Sequence, residues 1–346
     1  MSGLNRASQK FILDYEHQYP TAQAAAELAR KAVERALRDA GVFVHIVSGR
    51  AKKPDSLRSK LRKKNYKDPQ RRLTDLIGVR VITYYRDAVD PIVARLRGEF
   101  EINEKESIDK RQSLGLHDFG YSSVHLIARL KEGQTLSADH SPLRKHWFEI
   151  QIRTILDHAW AEIEHEVVYK SGIEFPDITK RRFASLAGTL ELLDSEFLEL
   201  RAERDRLIDM YRGRYTRKED DRKAFDVARL LGFLSANRPE GQGWQAVASG
   251  GVPFGTGLET SCLDALKTVG LGTAASLRLL FRSSKFRYAI STFASSEGIA
   301  PEQVSHLAAV VIAVAIKNVR IVQHHFPEII YDPAIARLVE RRARYH

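Results

Sequence analysis

The chain is almost free of cysteine, since Cys262 is the single one among 346 residues. One thiol excludes an intrachain disulfide, a cysteine-based zinc site and an iron–sulfur centre. A chain of this kind is expected in a reducing compartment, the cytoplasm. The sequence GxxxxGK[ST] is also absent, which excludes a P-loop ATPase.

Long apolar runs are missing as well. The longest, residues 307–316, is about half of the ~20 residues that a membrane-spanning helix needs, so it predicts a buried helix. The first residues mix polar and apolar side chains, and we expect no N-terminal signal. Hydrophobic residues make up 43% of the chain, which is typical of a soluble globular protein, and the length suffices for two domains.

Positive charge is in excess and is concentrated in one segment. Lys and Arg number 55 against 44 acids, which gives a net charge of +11. Residues 44–72 contain eleven Lys or Arg and only two acids, Asp55 and Asp68. Such a segment predicts a polyanionic partner: nucleotide phosphates, nucleic acid or an acidic membrane face. Membrane binding would need exposed aromatic side chains, and this segment offers only Tyr66.

The segment 148–170 has the most informative pattern. Residues 148–153 alternate between apolar and polar, so they predict a strand with Glu149, Gln151 and Arg153 on one face. Thr154 can cap the helix that follows, whose apolar side would include Ile163. A carboxylate on a rigid strand, next to a guanidinium and a helix start, suits metal and phosphate chemistry.

Upstream, the pattern predicts the parts of a phosphate site. A helix from Pro20 to residue 39 leads to a short strand at 43–47, and a basic turn at 48–55 precedes a helix that starts near Ser56. Residues 75–82 predict a central strand with Asp75 at its leading end. Asp75 and Glu149 thus come from different strands, and two carboxylates that share one Mg²⁺ are what phosphoryl-type transfer needs.

The sequence predicts an α+β protein with a mixed sheet flanked by helices, followed by an all-α C-terminal domain. The expected domains are residues 1–175 with a core at 43–170, long amphipathic helices at 176–236, a linker at 237–258 and a helical domain at 259–346. The helix at 179–211 has an apolar stripe that must meet the core or another subunit. We therefore expect either a homo-oligomer or autoregulation through the C-terminal domain.

Three ordered motifs lie between residues 44 and 170. The first is Ser48-Gly-Arg-x-Lys with Ser56 and Lys60, the second is Asp75-Leu-Ile-Gly-Val-Arg, and the third is Glu149-Ile-Gln-Ile-Arg-Thr with Trp160-Ala, Glu164-His and Tyr169-Lys. With these motifs the chain resembles the nucleotidyltransferase domain of RelA/SpoT-type alarmone synthetases. The resemblance implies transfer of pyrophosphate from ATP to the ribose 3′-OH of GDP or GTP, which makes (p)ppGpp.

The resemblance also implies a role for each matching residue. Five residues would bind ATP. Arg50 and Arg80 would stack on adenine, and the other three would lie around its phosphates: Lys52, Ser56 and Lys60. Asp75 and Glu149 would bind Mg²⁺, and Glu149 would also activate the 3′-OH. On the acceptor side, Tyr121 would stack on guanine and His125 would contact the phosphates. From the sequence itself we further expect five residues near the acceptor, three of them to add positive charge: Lys110, Arg111, His117, Gln151 and Arg153.

Two features of the sequence conflict with this assignment. Asp75 and Arg80 are five residues apart, so a regular strand would place them on opposite faces unless a bulge or twist occurs at Gly78. Relatives carry a basic, Asn-containing segment before the stacking tyrosine and a basic residue after it, where this chain has residues 116–119, with Asp118, and Ser122. The acceptor pocket is therefore expected to be less positive.

Two other functions stay open for this reason. A toxic branch of the family pyrophosphorylates the 3′ end of tRNA, and the net positive charge would suit that acceptor. The chain could instead be a non-catalytic nucleotide or RNA sensor that has kept the fold. The family's hydrolase half would need a helical His-Asp metal domain upstream of residue 43, where the sequence predicts about one helix, so synthesis without hydrolysis is expected.

Overall fold

The computed structural model describes residues 4–64, 66, 68–113, 123–131, 146–169, 175–236, 258–297, 304 and 306–326. The chain forms two compact units, Met1–Glu199 and Leu200–His346. The boundary lies within one long helix, whereas the sequence places domain boundaries at 175 and at the 237–258 linker. Among the described residues, no helix is both long and apolar enough to cross a membrane.

The first unit is built on a mixed sheet, which confirms the predicted α+β fold. Its strands are β1 Ile46–Ala51, β2 Ile77–Thr83, β3 Phe100–Ile102, β4 Ile108–Asp109, β5 Val124–Leu130 and β6 Phe148–Thr154. The order across the sheet is β1-β2-β6-β5-β3, and β4 also pairs with β5. Strands β2 and β6 are parallel, and the other pairs are antiparallel.

Helices of the first unit connect and cover these strands. They are α1 Arg6–Asp39, α2 Pro54–Lys64, α3 Pro69–Arg72, α4 Val89–Glu99, α5 Lys110–Ser113, α6 Ile155–Glu164 and α7 Asp177–Thr216. A 3₁₀ turn, Arg86–Ala88, precedes α4, and a π turn, His165–Tyr169, follows α6. Helix α7 continues into the second unit.

One face of the sheet is apolar and packs against α1 and α4. Alternate side chains of the central strands are fully buried there, for example Val79, Ile150 and Leu126. Helix α1 approaches closest at Gly49, where a Cβ in place of the glycine hydrogen would lie 2.4 Å from the Ala26 carbonyl oxygen. The polar side chains of the same strands are therefore left on the opposite face.

Two predictions about element bounds and one about a buried side chain were wrong. Helix α1 begins at Arg6 rather than at Pro20, because Asn5 caps it by accepting from the Ser8 amide, and Pro20 lies inside it. The strand predicted at 43–47 lies at Ile46–Ala51, so the predicted basic turn is partly strand. On α6, Ile163 is 57% exposed and does not belong to a buried face.

The second unit is helical and has its own core. Its helices after α7 are α8 Val227–Ala236, α9 Leu258–Thr268, α10 Ala274–Phe281, α11 Ser284–Glu297, α12 His306–Lys317 and α13 Val319–His325. Helix α12 is buried at the centre of this core, as the apolar run predicts. Phe233 of α8 packs in the same core as Cys262 of α9, and burial raises the pKa of that thiol to about 12.

Candidate active site

The polar face of the sheet collects the predicted site residues from four neighbouring strands. Residues that are opposite each other in paired strands point to the same face. Gly78 is paired with Arg50 on one side and with Glu149 on the other. Gln151 is likewise paired with Arg80 and with His125. Four predicted site residues besides Gln151 thus share one face, although they are far apart in sequence.

Lys52 and Lys60 converge on Asp75 at one end of this face. The ammonium group of Lys60 donates to Asp75 Oδ2 at 2.7 Å, and that of Lys52 donates to the same oxygen at 2.9 Å. Burial alone would raise the pKa of Asp75, but the two lysines outweigh it and hold the pKa below its usual value. Asp75 is therefore a carboxylate at neutral pH.

Lys52 is positioned by helix α1. The Tyr15 hydroxyl donates to the Lys52 carbonyl at 2.8 Å, and the Lys52 amide donates to the Leu76 carbonyl at 2.8 Å. Burial, followed by the nearby Tyr19 and Asp75, raises the pKa of Tyr15 to about 12, so the phenol stays protonated. Sequence reasoning missed Tyr15, because a tyrosine 37 residues away from Lys52 gives no local signal.

The conflict between Asp75 and Arg80 is resolved without a bulge. Pairing of β2 with β1 and with β6 continues through Gly78, and neither register has an inserted residue there. Asp75 instead precedes the strand, which begins at Ile77 after a bend at Leu76. The alternation rule therefore does not apply to Asp75, and of the two distortions considered at Gly78 the bulge is absent.

Glu149 has a hydrogen bond on each carboxylate oxygen. His125 Nδ1 lies 2.7 Å from Oε1, and the Gln151 amide donates to Oε2 at 2.7 Å. The other ring nitrogen of His125 lies 2.8 Å from the Ser123 hydroxyl oxygen. Burial would raise the pKa of Glu149, but His125 and Gln151 outweigh it and lower the pKa. Ser123, two residues before His125, is a site residue that the predictions missed.

Arg50 lies across Gly78, where a side chain would otherwise stand. A Cβ on Gly78 would be 3.8 Å from both Cγ and Nε of Arg50. Burial and the charge of Arg80 lower the pKa of Arg50, while Glu149, Glu162 and Asp75 act in the opposite direction. The two arginines predicted to bind adenine are thus close enough to repel each other.

Ser56 and the predicted acceptor residues are placed less uniformly. Ser56 is exposed in the first turn of α2. Lys110 lies within electrostatic reach of Glu164 on α6, and the buried Arg153 guanidinium lies 3.9 Å from Glu162.

Arg111 is paired on the other side of the sheet. It binds Asp109 and Asp90 at 2.7 Å each, beside a cavity of about 300 Å³ that is lined by Val93 and Leu126 of the apolar face. The structure therefore does not bring Arg111 to the face that carries Glu149. His117, Asp118, Tyr121 and Ser122 lie outside the described residues.

The carboxylates of Asp75 and Glu149 fit the Mg²⁺ ion that the resemblance implies. Asp75 Oδ1 is buried without a hydrogen-bond partner among the described residues. The negative charge of Asp75 also acts on Glu149, where it partly counteracts the lowering of the Glu149 pKa. In the described part of the chain, no group of three or more His, Cys, Asp or Glu is placed to hold a metal ion. Two carboxylates completed by substrate phosphates are the usual ligands of Mg²⁺.

Known proteins match the part of the chain that carries these residues. Residues 49–174 match the family described as "Region found in RelA / SpoT proteins". The chain is 30% identical over 164 residues to GTP pyrophosphokinase YjbM of Bacillus subtilis (strain 168), which is 46% of this chain and 73% of that protein. The chain belongs to the RelA/SpoT family. The predicted resemblance is thereby confirmed for the synthetase-type domain.

Two further proteins match over a similar share of the chain. GTP pyrophosphokinase YwaC of the same strain is 27% identical over 160 residues, 45% of this chain and 73% of that protein. The chain is also 25% identical to small alarmone synthetase 1 from Bacillus subtilis, whose crystal structure matches with a TM-score of 0.44. This match covers 55% of this chain and 97% of the synthetase chain. The RelA/SpoT match ends at residue 174, so it does not extend to the second unit.

Proposed function

We propose that the chain is a GTP/GDP pyrophosphokinase, an enzyme that transfers pyrophosphate from ATP to the ribose 3′-hydroxyl of GDP or GTP. The 3′ oxygen attacks the β-phosphorus of ATP, the bond from that phosphorus to the α–β bridging oxygen breaks, and AMP leaves. The products are AMP and (p)ppGpp. Membership in the RelA/SpoT family and the names of two relatives, both GTP pyrophosphokinases, support this reaction.

One observation carries the proposal: Glu149 is held as an oriented carboxylate on the face that also bears Arg50 and Arg80. A carboxylate fixed on both oxygens can accept the proton of the 3′-hydroxyl as the oxygen attacks. Gln151 keeps the carboxylate in one orientation, and His125 keeps it ionised. Preorganisation of this kind avoids a reorientation during the reaction.

Lys52 and Lys60 are proposed to hold the ATP phosphates. Both ammonium groups meet at Asp75 and lie beside the start of α2, where they would neutralise charge that develops on the transferred group. Asp75 and Glu149 would hold Mg²⁺, which when bound would supply Lewis-acid stabilisation of the charge on the phosphates. Arg50 and Arg80 offer planar cations suited to the faces of a purine.

Acceptor identity is tested by one labelling experiment. The protein is incubated with ATP labelled at the β-phosphate and with GDP, GTP or tRNA, and the products are separated. Label on GDP or GTP is expected for the wild-type chain, and a loss of about 10²–10⁴-fold is expected for Glu149→Gln, which removes the proton acceptor. Label on tRNA alone would assign the toxin-type reaction instead. Equal absence of transfer in both proteins would favour a sensor without catalysis.

A further inference from the structure

Glu162 of α6 contacts the polar face, yet it has no part in the reaction proposed above. Its Oε1 lies 2.8 Å from Arg80 Nη1, and 3.9 Å from both Arg153 Nη2 and His158 Nδ1. The carboxylate thus sits among two arginines and a histidine. In the described part of the chain, Glu162 is the acid that forms an ion pair with Arg80.

The other two acids of the site are already engaged. Asp75 accepts from two lysines, and Glu149 accepts from His125 and Gln151. Arg80 also has a buried Nε that lacks a hydrogen-bond partner among the described residues. The orientation of its guanidinium therefore depends on the contact with Glu162.

Repulsion between Arg50 and Arg80 makes this contact matter. The positive charge of Arg80 lowers the pKa of Arg50, and the negative charge of Glu162 counteracts that effect. Without Glu162, Arg80 would lose its bound counter-ion and would be free to turn away from Arg50.

Glu162 holds Arg80 through an ion pair at 2.8 Å. A purine base can stack on the flat face of a guanidinium and is neutral, so the acid does not repel it as it would repel a phosphate. We propose that Glu162 is a positioning residue, which holds Arg80 in the plane that receives the purine of the donor nucleotide. This inference rests on the proposed function, because that function supplies ATP as the donor.

The test compares Glu162→Ala and Glu162→Gln with a matched pair elsewhere in the first unit. Glu191 pairs with Arg86 Nη1 at 2.8 Å and is 47% exposed, whereas Glu162 pairs with Arg80 Nη1 at 2.8 Å and is 50% exposed. Glu191→Ala therefore removes an ion pair of the same length and similar exposure that lies outside the site. Alanine is a strong helix former, so both alanine variants should retain their helices, and thermal unfolding checks this.

Binding of an ATP analogue with a methylene bridge between the α- and β-phosphorus is measured by calorimetry, and KM and kcat by the transfer assay. For Glu162→Ala we expect the Kd of the analogue and the KM for ATP to rise about threefold, as for loss of one half-exposed ion pair, with kcat within twofold. Glu162→Gln, whose amide oxygen still accepts, should lie between wild type and alanine. Glu191→Ala should leave all three values unchanged.

Unchanged or tighter binding by Glu162→Ala overturns the proposal, and so does an equal loss in Glu191→Ala. A fall in kcat alone would assign Glu162 to the chemical step and would also overturn it. If the wild-type chain binds the analogue but transfers no label, the proposed function fails while the role of Glu162 in binding still stands. If it binds no analogue at all, both fail.

Discussion

Lys60 donates a 2.7 Å hydrogen bond to Oδ2 of Asp75, while Oδ1 of the same carboxylate is buried and lacks a partner among the described residues. Oδ2 thus accepts hydrogen bonds, whereas the lone pairs of Oδ1 are available to a ligand. A buried, unpaired carboxylate oxygen is costly unless a cation or donor joins it in the working state. This relationship underlies the first prediction.

Asp75→Asn is expected to lower kcat by about 100-fold or more and to raise the Mg²⁺ concentration needed for half-maximal rate, because an amide oxygen is a weaker metal ligand. Magnesium titrations of the transfer assay measure both. Asp55→Asn is the control, since the Asp55 side chain is 94% exposed on α2. Wild-type rates and magnesium dependence in Asp75→Asn would contradict the proposed metal site.

His125→Ala is expected to move the acid limb of the pH–rate profile to higher pH. His125 lowers the pKa of Glu149, so removing it raises that pKa, and the carboxylate becomes protonated and inactive at a higher pH. Ser123→Ala retains the contact between His125 and Glu149 and should shift the limb less. An unmoved limb in His125→Ala would show that another group controls it.

Sequence and structure agree best where the local pattern is strong. The strand that carries Glu149 begins at Phe148 as its alternation predicts, and Thr154 caps α6 by accepting from the Asp157 amide. Alternation within one strand also correctly put Glu149 and Gln151 on one face.

Contacts between residues that are far apart in the sequence set those element bounds that the local pattern did not predict. Strand β1 contains Ser48 and Gly49, which have low strand propensity, but pairing with β2 and close packing on α1 override it. Helix α1 extends to the N-terminal side of Pro20, because Ile12 and Tyr15 pack against α2 in a cluster separate from the core of the sheet. Neither contact leaves a local signal, so the bounds of these elements were misplaced.

Gly49→Ala is expected to destabilise the first unit. The new methyl group would stand 2.4 Å from the Ala26 carbonyl oxygen, so α1 or β1 must move, and the free energy of unfolding should fall by about 1–3 kcal/mol. Gly98→Ala is the matched control, because a Cβ on Gly98 of α4 meets nothing within 4 Å. It should leave stability unchanged or slightly raised. Urea unfolding measures both, and equal midpoints would refute the close approach.

Asp157→Asn is expected to flatten the dependence of stability on pH. Burial and the neighbouring Asp194 raise the pKa of Asp157 from 3.8 to about 7. A raised pKa contributes stability that is present below the unfolded value, about pH 4, and is lost as pH rises through 7. The variant should therefore unfold at a higher temperature than wild type at pH 8, with little difference at pH 4. Asp177→Asn is the control, because that side chain is 98% exposed, and its stability should depend on pH as in wild type. If the stability of Asp157→Asn falls with rising pH in parallel with that of wild type, the raised pKa is wrongly assigned to Asp157.

The predicted homo-oligomer leads to the last test. Leu186 and Leu193 of α7 are 56% and 42% exposed, and their seven-residue spacing continues at Leu200, the repeat by which two helices pack as a coiled coil. We expect a second copy of the chain to cover this stripe, so light scattering should give a multiple of the monomer mass of 39.2 kDa. The double variant Leu186→Glu and Leu193→Glu should give the monomer mass, because each charge would be buried without a partner. Leu279→Glu, at a 76% exposed leucine of α10, should keep the wild-type mass, and a monomeric wild type would disprove the prediction.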